Sequence, residues 1–281
     1  RFDLSKKESN SYLKKKEKFN RIENSLKNTK NIYKILLIND CSTEKNPNIL
    51  NYKKFFKEIK ILNLRKNVGN QKAIATALKY INTKEKGNNG NYIIMDSDGE
   101  DDPEKIKEII EYLRLNKKTE IITLNRTIRK ESFFFSILYE LHLFITFLLT
   151  FNYIRFGNFS CINKKILKKI SGKNDLWMAY SATINKFFKN KHSISAPRKK
   201  RINGKSKMSY FGLIKHSISI HSVYKKNIFF SYFLYLIFLI YLSSKGIPLI
   251  LIVIFVFLFF THLFILIYLN QKKVNGISFN K

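Results

Sequence analysis

The 23 residues Ile247–Leu269 contain no Asp, Glu, Lys or Arg. A helix of about 20 such residues reaches across the hydrocarbon core of a bilayer, where little else satisfies the backbone's polar groups. A second apolar run, Asn227–Leu242, precedes it, and only Ser243-Ser244-Lys245-Gly246 separates the two. The first run is shorter and recruits its flanks to span. Lys225 and Lys226 lead into the pair and Lys272 and Lys273 follow it, while the turn holds only Lys245. Basic residues stay on the cytoplasmic side, so this asymmetry predicts a helical hairpin with both ends cytoplasmic. The expectation is a multi-pass protein of the cell's inner (plasma) membrane, with the upstream domain in the cytoplasm.

Charge points the same way. The 281 residues carry 52 Lys+Arg against 20 Asp+Glu, a formal +32, yet 45% of them are hydrophobic. Such an excess suits nucleic acid or an anionic bilayer, and the long apolar runs favour the bilayer and argue against nucleic acid. Cys41 and Cys161 lie far apart, with no His or Cys at metal spacing. That argues against a disulfide framework and is compatible with a reducing compartment.

Upstream, short apolar runs alternate with helical patterns. Ile32–Asn39, Ile59–Leu64, Tyr92–Met95 and Glu120–Asn125 read as buried strands, and Lys72–Ile81 and Pro103–Leu115 as helices. Leu13, Phe19, Ile22 and Leu26 recur at helical spacing within polar residues, which predicts a surface-lying helix. The alternation implies a Rossmann-like α/β domain around a mostly parallel sheet, whose ligands gather at the strands' C-terminal mouths.

Two of those mouths carry candidate chemistry. One strand empties into Asn39-Asp40-Cys41-Ser42-Thr43, and Asp40 or Ser42 there is either a ligand group or a cap for the next helix. Another empties into Asp96-Ser97-Asp98-Gly99-Glu100-Asp101-Asp102-Pro103-Glu104. In extended backbone Asp96 and Asp98 point the same way, as a hard cation with open positions for phosphate oxygens requires. The alternative is an acidic helix start, with Asp102 as N-cap and Pro103 first in the helix. The two are compatible, because the cap leaves Asp96 and Asp98 available.

Three segments carry a resemblance, in order and on the expected elements. Ile38-Asn39-Asp40-Cys41-Ser42-Thr43 resembles the "V-D-D-G-S-T" segment of family 2 glycosyltransferases, and Arg65-Lys66-Asn67-Val68-Gly69-Asn70-Gln71-Lys72-Ala73 their "R-N-x-G-x-x-x-A". Residues 96–104 resemble "D-A-D-L-Q-D-P-P-E". The resemblance covers about residues 30–225 and implies a GT-A-type nucleotide-sugar-binding fold. It places Asp40, Ser42, Arg65, Asn67 and Gly69 at the nucleotide, and Mg²⁺ or Mn²⁺ at Asp96 and Asp98. Two departures stand out. The family's first strand is not visible before Ile32, so it lies upstream of Arg1 or is lost. Asn39 replaces an Asp, which shifts base contacts toward Asp40.

Farther along, Phe133–Phe151 is apolar but contains Glu140 and His142, and a charge at the centre of a span is costly. One or two interfacial helices fit better. Gly157-Asn158-Phe159-Ser160-Cys161-Ile162-Asn163-Lys164-Lys165 resembles the family's acceptor-side strand. The basic run Pro197–Tyr210 is similar to the "R-x-x-R-x-x-G-x-S-K" element of polyprenyl-phosphate glycosyltransferases, such as dolichyl-phosphate mannose synthases and bactoprenol glucosyltransferases. Arg201, Gly204, Ser206 and Lys207 match it in register. Guanidinium and ammonium groups there suit an acceptor phosphate.

The resemblance thus implies an inverting hexosyltransferase that uses a UDP- or GDP-hexose and a polyprenyl phosphate of undecaprenyl type, in cell-envelope biosynthesis. Asp96, Asp98 and Arg201 would carry the reaction, and Arg198, Arg201, Ser206 and Lys207 would hold the acceptor phosphate. The expected division is a nucleotide-sugar half at 1–132, an acceptor-side and interface region at 133–226, and the hairpin with its tail at 227–281. A homo-oligomer is left open. A processive polysaccharide synthase and a non-catalytic membrane scaffold are the rival readings. The first normally needs more spans and a Q-x-x-R-W-like element, and neither is seen here.

Overall fold

The structure is a computed structural model that describes residues 17–42 (except 18, 28 and 30), 55–84, 90–126, 133–197, 210–246 and 248–271. A helix over 19–26 (α1) comes first. It is followed by β1 (Lys34–Asn39), β2 (Glu58–Asn63), α2 (Asn70–Lys84), β3 (Asn91–Ile94), α3 (Lys105–Leu115) and β4 (Ile121–Arg126). The second half runs α4 (Phe133–Thr150), β5 (Phe156–Asn163), α5 (Lys164–Ser171), α6 (Tyr180–Phe187), β6 (His192–Ala196), α7 (Tyr210–Val223), α8 (Lys225–Ser243) and α9 (Leu249–Gln271).

The strands form two hydrogen-bonded pieces, β1 with β2 and the order β3-β5-β4-β6. The parallel frame holds in β1/β2 and β4/β6, while β5 runs antiparallel between β3 and β4. Strand–helix alternation cannot reveal that reversal, because pairing direction leaves no mark on apolar periodicity. Among the described residues no strand precedes β1.

Side chains alternate cleanly across the strands, as period-two backbone requires. On one face Ile35, Leu37, Ile59, Ile93, Ile122, Leu124, Phe159, Cys161 and Ile194 pack with Phe19 and Leu26 of α1 and Ile106 and Ile109 of α3. This single apolar layer runs under both pieces of sheet. On the other face Ile94, Ile121 and Ile162 meet Ala75 and Leu78 of α2, Ile166 and Ile170 of α5, and Ala182 and Ile184 of α6. Helix α5 shows the local logic: the Asn163 side chain caps it by accepting from the Ile166 N–H at 2.9 Å. Ile166, Leu167 and Ile170 are then buried, while the lysines between them point outward or stay partly exposed.

Two expectations change in detail. Helix α1 does not merely lie on the surface, because its Phe19 and Leu26 are core residues and Arg21 pairs with Asp102 at 2.7 Å. Helix α3 begins at Lys105, two residues after Pro103. Asp102 still acts at the approach, its Oδ1 accepting from the Glu104 N–H at 3.2 Å.

Cys161, on β5, is buried, and that burial pushes its thiol up to about 12, whereas Cys41 is exposed. Because the thiolate is the nucleophile, maleimide at pH 7.5 should modify Cys41 alone in the folded protein and Cys161 only after denaturation. Rapid labelling of both thiols, read by mass spectrometry, would contradict this packing.

Helix α4 is one continuous helix, and its outer face exposes Leu141, Phe144, Ile145 and Leu148. Glu140 is itself largely exposed and lies 3.6 Å from Arg155. Helices α8 and α9 are long and apolar enough to cross a membrane and are mostly exposed outward, unlike the core helices of a soluble protein. They are not simply appended. Ser231 and Tyr235 of α8 donate hydroxyl hydrogen bonds to the carbonyls of Leu149 (2.9 Å) and Leu148 (2.7 Å) in the last turn of α4. Those carbonyls lack partners within their own helix. A polar chain also links Thr146 to His221 (3.3 Å), His221 to His262 (3.3 Å) and His262 to Tyr232 (3.1 Å). Burial above all, then His262 and His142, holds the His221 imidazole down at about 3, so it joins that chain uncharged.

Candidate active site at the strand mouths

Strand β1 delivers Asp40 to the end of the sheet. Its Oδ1 accepts from the Val68 N–H at 2.7 Å and its Oδ2 from the Gly69 N–H at 2.8 Å, so both oxygens grip the loop before α2. Gly69 sits at φ +85°, a conformation that only glycine takes without strain. Asn39 donates to Asn63 Oδ1 at 2.9 Å, tying the ends of β1 and β2, and accepts from the Ser42 N–H at 2.9 Å. Cys41 has φ +53°, although it is not glycine. Residues forced into that region cluster where backbone shape matters for function. Ser42, Arg65 and Asn67 are exposed around this turn, beside Asp40.

Strand β3 ends at Ile94, so Asp96 and Asp98 do not share an extended backbone as expected; residues 97 and 98 form a turn. Hydrogen bonds shape that turn instead. The Asp96 N–H donates to Asp101 Oδ2 at 2.8 Å, and Asp98 Oδ1 accepts from the Glu100 N–H at 3.1 Å. Gly99 supplies φ +89° between them. Glu100, Asp101 and Asp102 are buried, and Arg21 from α1 bonds Asp102 at 2.7 Å and Glu104 at 3.2 Å.

Among the described residues, Asn70 and Asn158 donate amide hydrogen bonds to the Asp96 carboxylate. Asn70, the first residue of α2, donates to Oδ1 at 3.1 Å. Asn158 on β5 donates to Oδ1 at 3.1 Å and to Oδ2 at 3.2 Å. Asn158 is held in turn by Gln71, and Gln71 by the Tyr180 N–H. Asp40 and Asp96 are thereby joined through Gly69 and Asn70 at the positive end of a 15-residue helix, a favourable place for anionic groups. Asn70, Gln71 and Asn158 lie inside recognisable segments, but nothing in those segments marks Asn70 and Asn158 as partners of Asp96, or Gln71 as the support behind Asn158. Tyr180 carries no sequence signal at all.

Among the described residues no group of three or more His, Cys, Asp or Glu is arranged to hold a metal ion. The chemistry of the donors still suits Mg²⁺ or Mn²⁺, because such ions commonly use one or two carboxylates and complete their shell with substrate phosphates and water. Asp96 and Asp98 are the two that would serve. Arg198, Arg201, Ser206 and Lys207, expected at an acceptor phosphate, lie outside the described residues.

No curated protein matches the chain. The profile of the family described as Glycosyl transferase family 2 matches residues 16–174. That stretch takes in α1, the Asp40 turn, the Val68–Gln71 loop, the acidic turn and Asn158, which is every element of this site except Tyr180. With more than half of its length matched, the chain belongs to glycosyl transferase family 2.

Proposed function

We propose that the protein transfers a hexose from a nucleotide-diphosphate sugar to a polyprenyl phosphate of undecaprenyl type, with inversion at the anomeric carbon. Asp40 and the loop it holds, with Arg65, Asn67 and Ser42, receive the nucleotide. Asp96 and Asp98 would hold a divalent cation, which would supply charge to offset that of the departing nucleotide diphosphate. A lipid phosphate oxygen attacks the anomeric carbon as the bond to the diphosphate breaks and its electron pair leaves with the nucleotide. Arg198, Arg201, Ser206 and Lys207 hold that acceptor phosphate. The hairpin α8–α9 keeps the site at the cytoplasmic face of the inner membrane, where a lipid acceptor is within reach.

The observation that carries this reading is the residue that β5 sets against Asp96. Asn158 is a neutral amide and cannot take a proton. At that position a sugar hydroxyl acceptor would find no base, whereas a phosphate is already anionic near neutral pH and needs none.

The test is transfer by the full-length protein, supplied with a panel of UDP- and GDP-hexoses and polyprenyl phosphate. Single-sugar lipid products are expected, whereas lengthening products indicate a processive synthase and no transfer from any donor a scaffold. Arg201→Lys should lower turnover with the lipid by roughly tenfold or more while donor affinity holds, because lysine cannot reproduce a bidentate guanidinium contact. Unchanged acceptor kinetics would reduce the basic run to a general surface patch.

A further inference from the structure

We propose that Tyr180, Gln71 and Asn158 form a positioning relay that sets the direction of the Asp96 carboxylate toward a divalent cation and its nucleotide diphosphate. The inference rests on the metal-dependent donor site just described.

The relay has only one polarity. A main-chain N–H can only donate, so the Gln71 atom 2.8 Å from the Tyr180 N–H is the amide oxygen. The Gln71 nitrogen therefore donates to Asn158 Oδ1 at 3.1 Å, and the Asn158 nitrogen is left to face Asp96. Each amide orientation follows from the one before, back to a single backbone group. Tyr180 also grips Asn158 from behind. Its hydroxyl donates to Ser160 Oγ at 2.8 Å, and Ser160 Oγ donates to the Asn158 carbonyl at 3.0 Å. Tyr180 and Ser160 are fully buried and Asn158 nearly so, which leaves the ring little freedom to reorient. Asn70 approaches Asp96 Oδ1 from a different element, α2. Amide donors from β5 and α2 thus both hold the Asp96 carboxylate.

The test uses the full-length chain in detergent and reads Mn²⁺ binding by the paramagnetic resonance of free Mn²⁺, with UDP or GDP present. Gln71→Glu keeps the acceptor for the Tyr180 N–H but loses the donor to Asn158. The Asn158 amide then turns and presents its oxygen to Asp96. Mn²⁺ affinity should fall roughly tenfold or more, the scale of a hydrogen bond to a charged group. Asn158→Ala should lose a similar factor, and the double variant no more than Asn158→Ala alone, because both act through one bond. Thermal midpoints should stay close to the parent's, and Gln71→Glu, being isosteric, covers the case in which Asn158→Ala fails to fold. Unchanged Mn²⁺ affinity in a folded Gln71→Glu, losses that multiply, or a parent that binds no Mn²⁺ would each overturn the relay. Relay-dependent Mn²⁺ binding without transfer to polyprenyl phosphate would support the relay and sink the acceptor assignment instead.

Discussion

Asp98→Asn is expected to lower sugar transfer by roughly a thousandfold, the scale of several kcal/mol of charge stabilisation at a leaving group. The fold should survive. At Asp98 the Glu100 N–H donates to Oδ1, and an asparagine oxygen accepts that bond equally well. What asparagine lacks is the second anionic oxygen and the charge. EDTA should reproduce the loss in the parent protein, and excess Mg²⁺ or Mn²⁺ should restore the parent but not the variant. The measurements are initial rates and a melting curve for each protein. Full activity of the parent in EDTA would remove the metal from the mechanism.

The second large effect is expected at Asp40, and here stability and donor affinity should fall together. Both Asp40 oxygens accept from backbone N–H groups of one loop, at 2.7 and 2.8 Å. Asp40→Asn keeps one acceptor and turns an N–H₂ group toward the other N–H. Bonds to a charged acceptor contribute about 1.5–3 kcal/mol each, and the site is partly open to solvent, so a loss near 1.5 kcal/mol is reasonable. For a chain of this size that corresponds to about 3–6 °C in the thermal midpoint. Once the Val68–Gly69 loop is released, the donor KM should rise roughly tenfold while the acceptor KM stays put, if the loop meets the nucleotide as proposed. Equal melting curves with a raised donor KM would mean that Asp40 acts on the ligand alone.

Much of this site can be read from residues that stand at the ends of apolar runs. Asp40 follows β1 directly and Asp96 lies just past the end of β3, and ligand groups in an α/β fold gather at such ends. Boundaries were softer. Ile32 looks like strand by composition, yet it is 74% exposed and β1 starts at Lys34. What the order of residues hides is pairing at a distance. Asn158 meets Asp96 across 62 positions, Arg21 meets Asp102 across 81, and Gln71 meets the Tyr180 N–H across 109. No local propensity encodes such contacts, because an asparagine in a strand looks the same whether it faces water or a carboxylate. The direction of β5 is hidden for the same reason. The family profile runs through β5 and stops at Asn174, so α6, with Tyr180, stands outside its reach as well.

The joints between α4 and α8 bear on how such a protein can be handled. Engineers who want a soluble version would cut just before Lys225, where the sequence turns apolar. That cut would strip the Leu148 and Leu149 carbonyls of the hydroxyls of Ser231 and Tyr235 and take His262 from His221. It would also bare the end of α4, from which the chain enters β5 and reaches Asn158 within a few residues. A working soluble version therefore calls for redesign of the exposed seam, with polar groups supplied to those carbonyls and to His221. A stop codon alone would leave the Asn158 end of β5 anchored to a frayed helix.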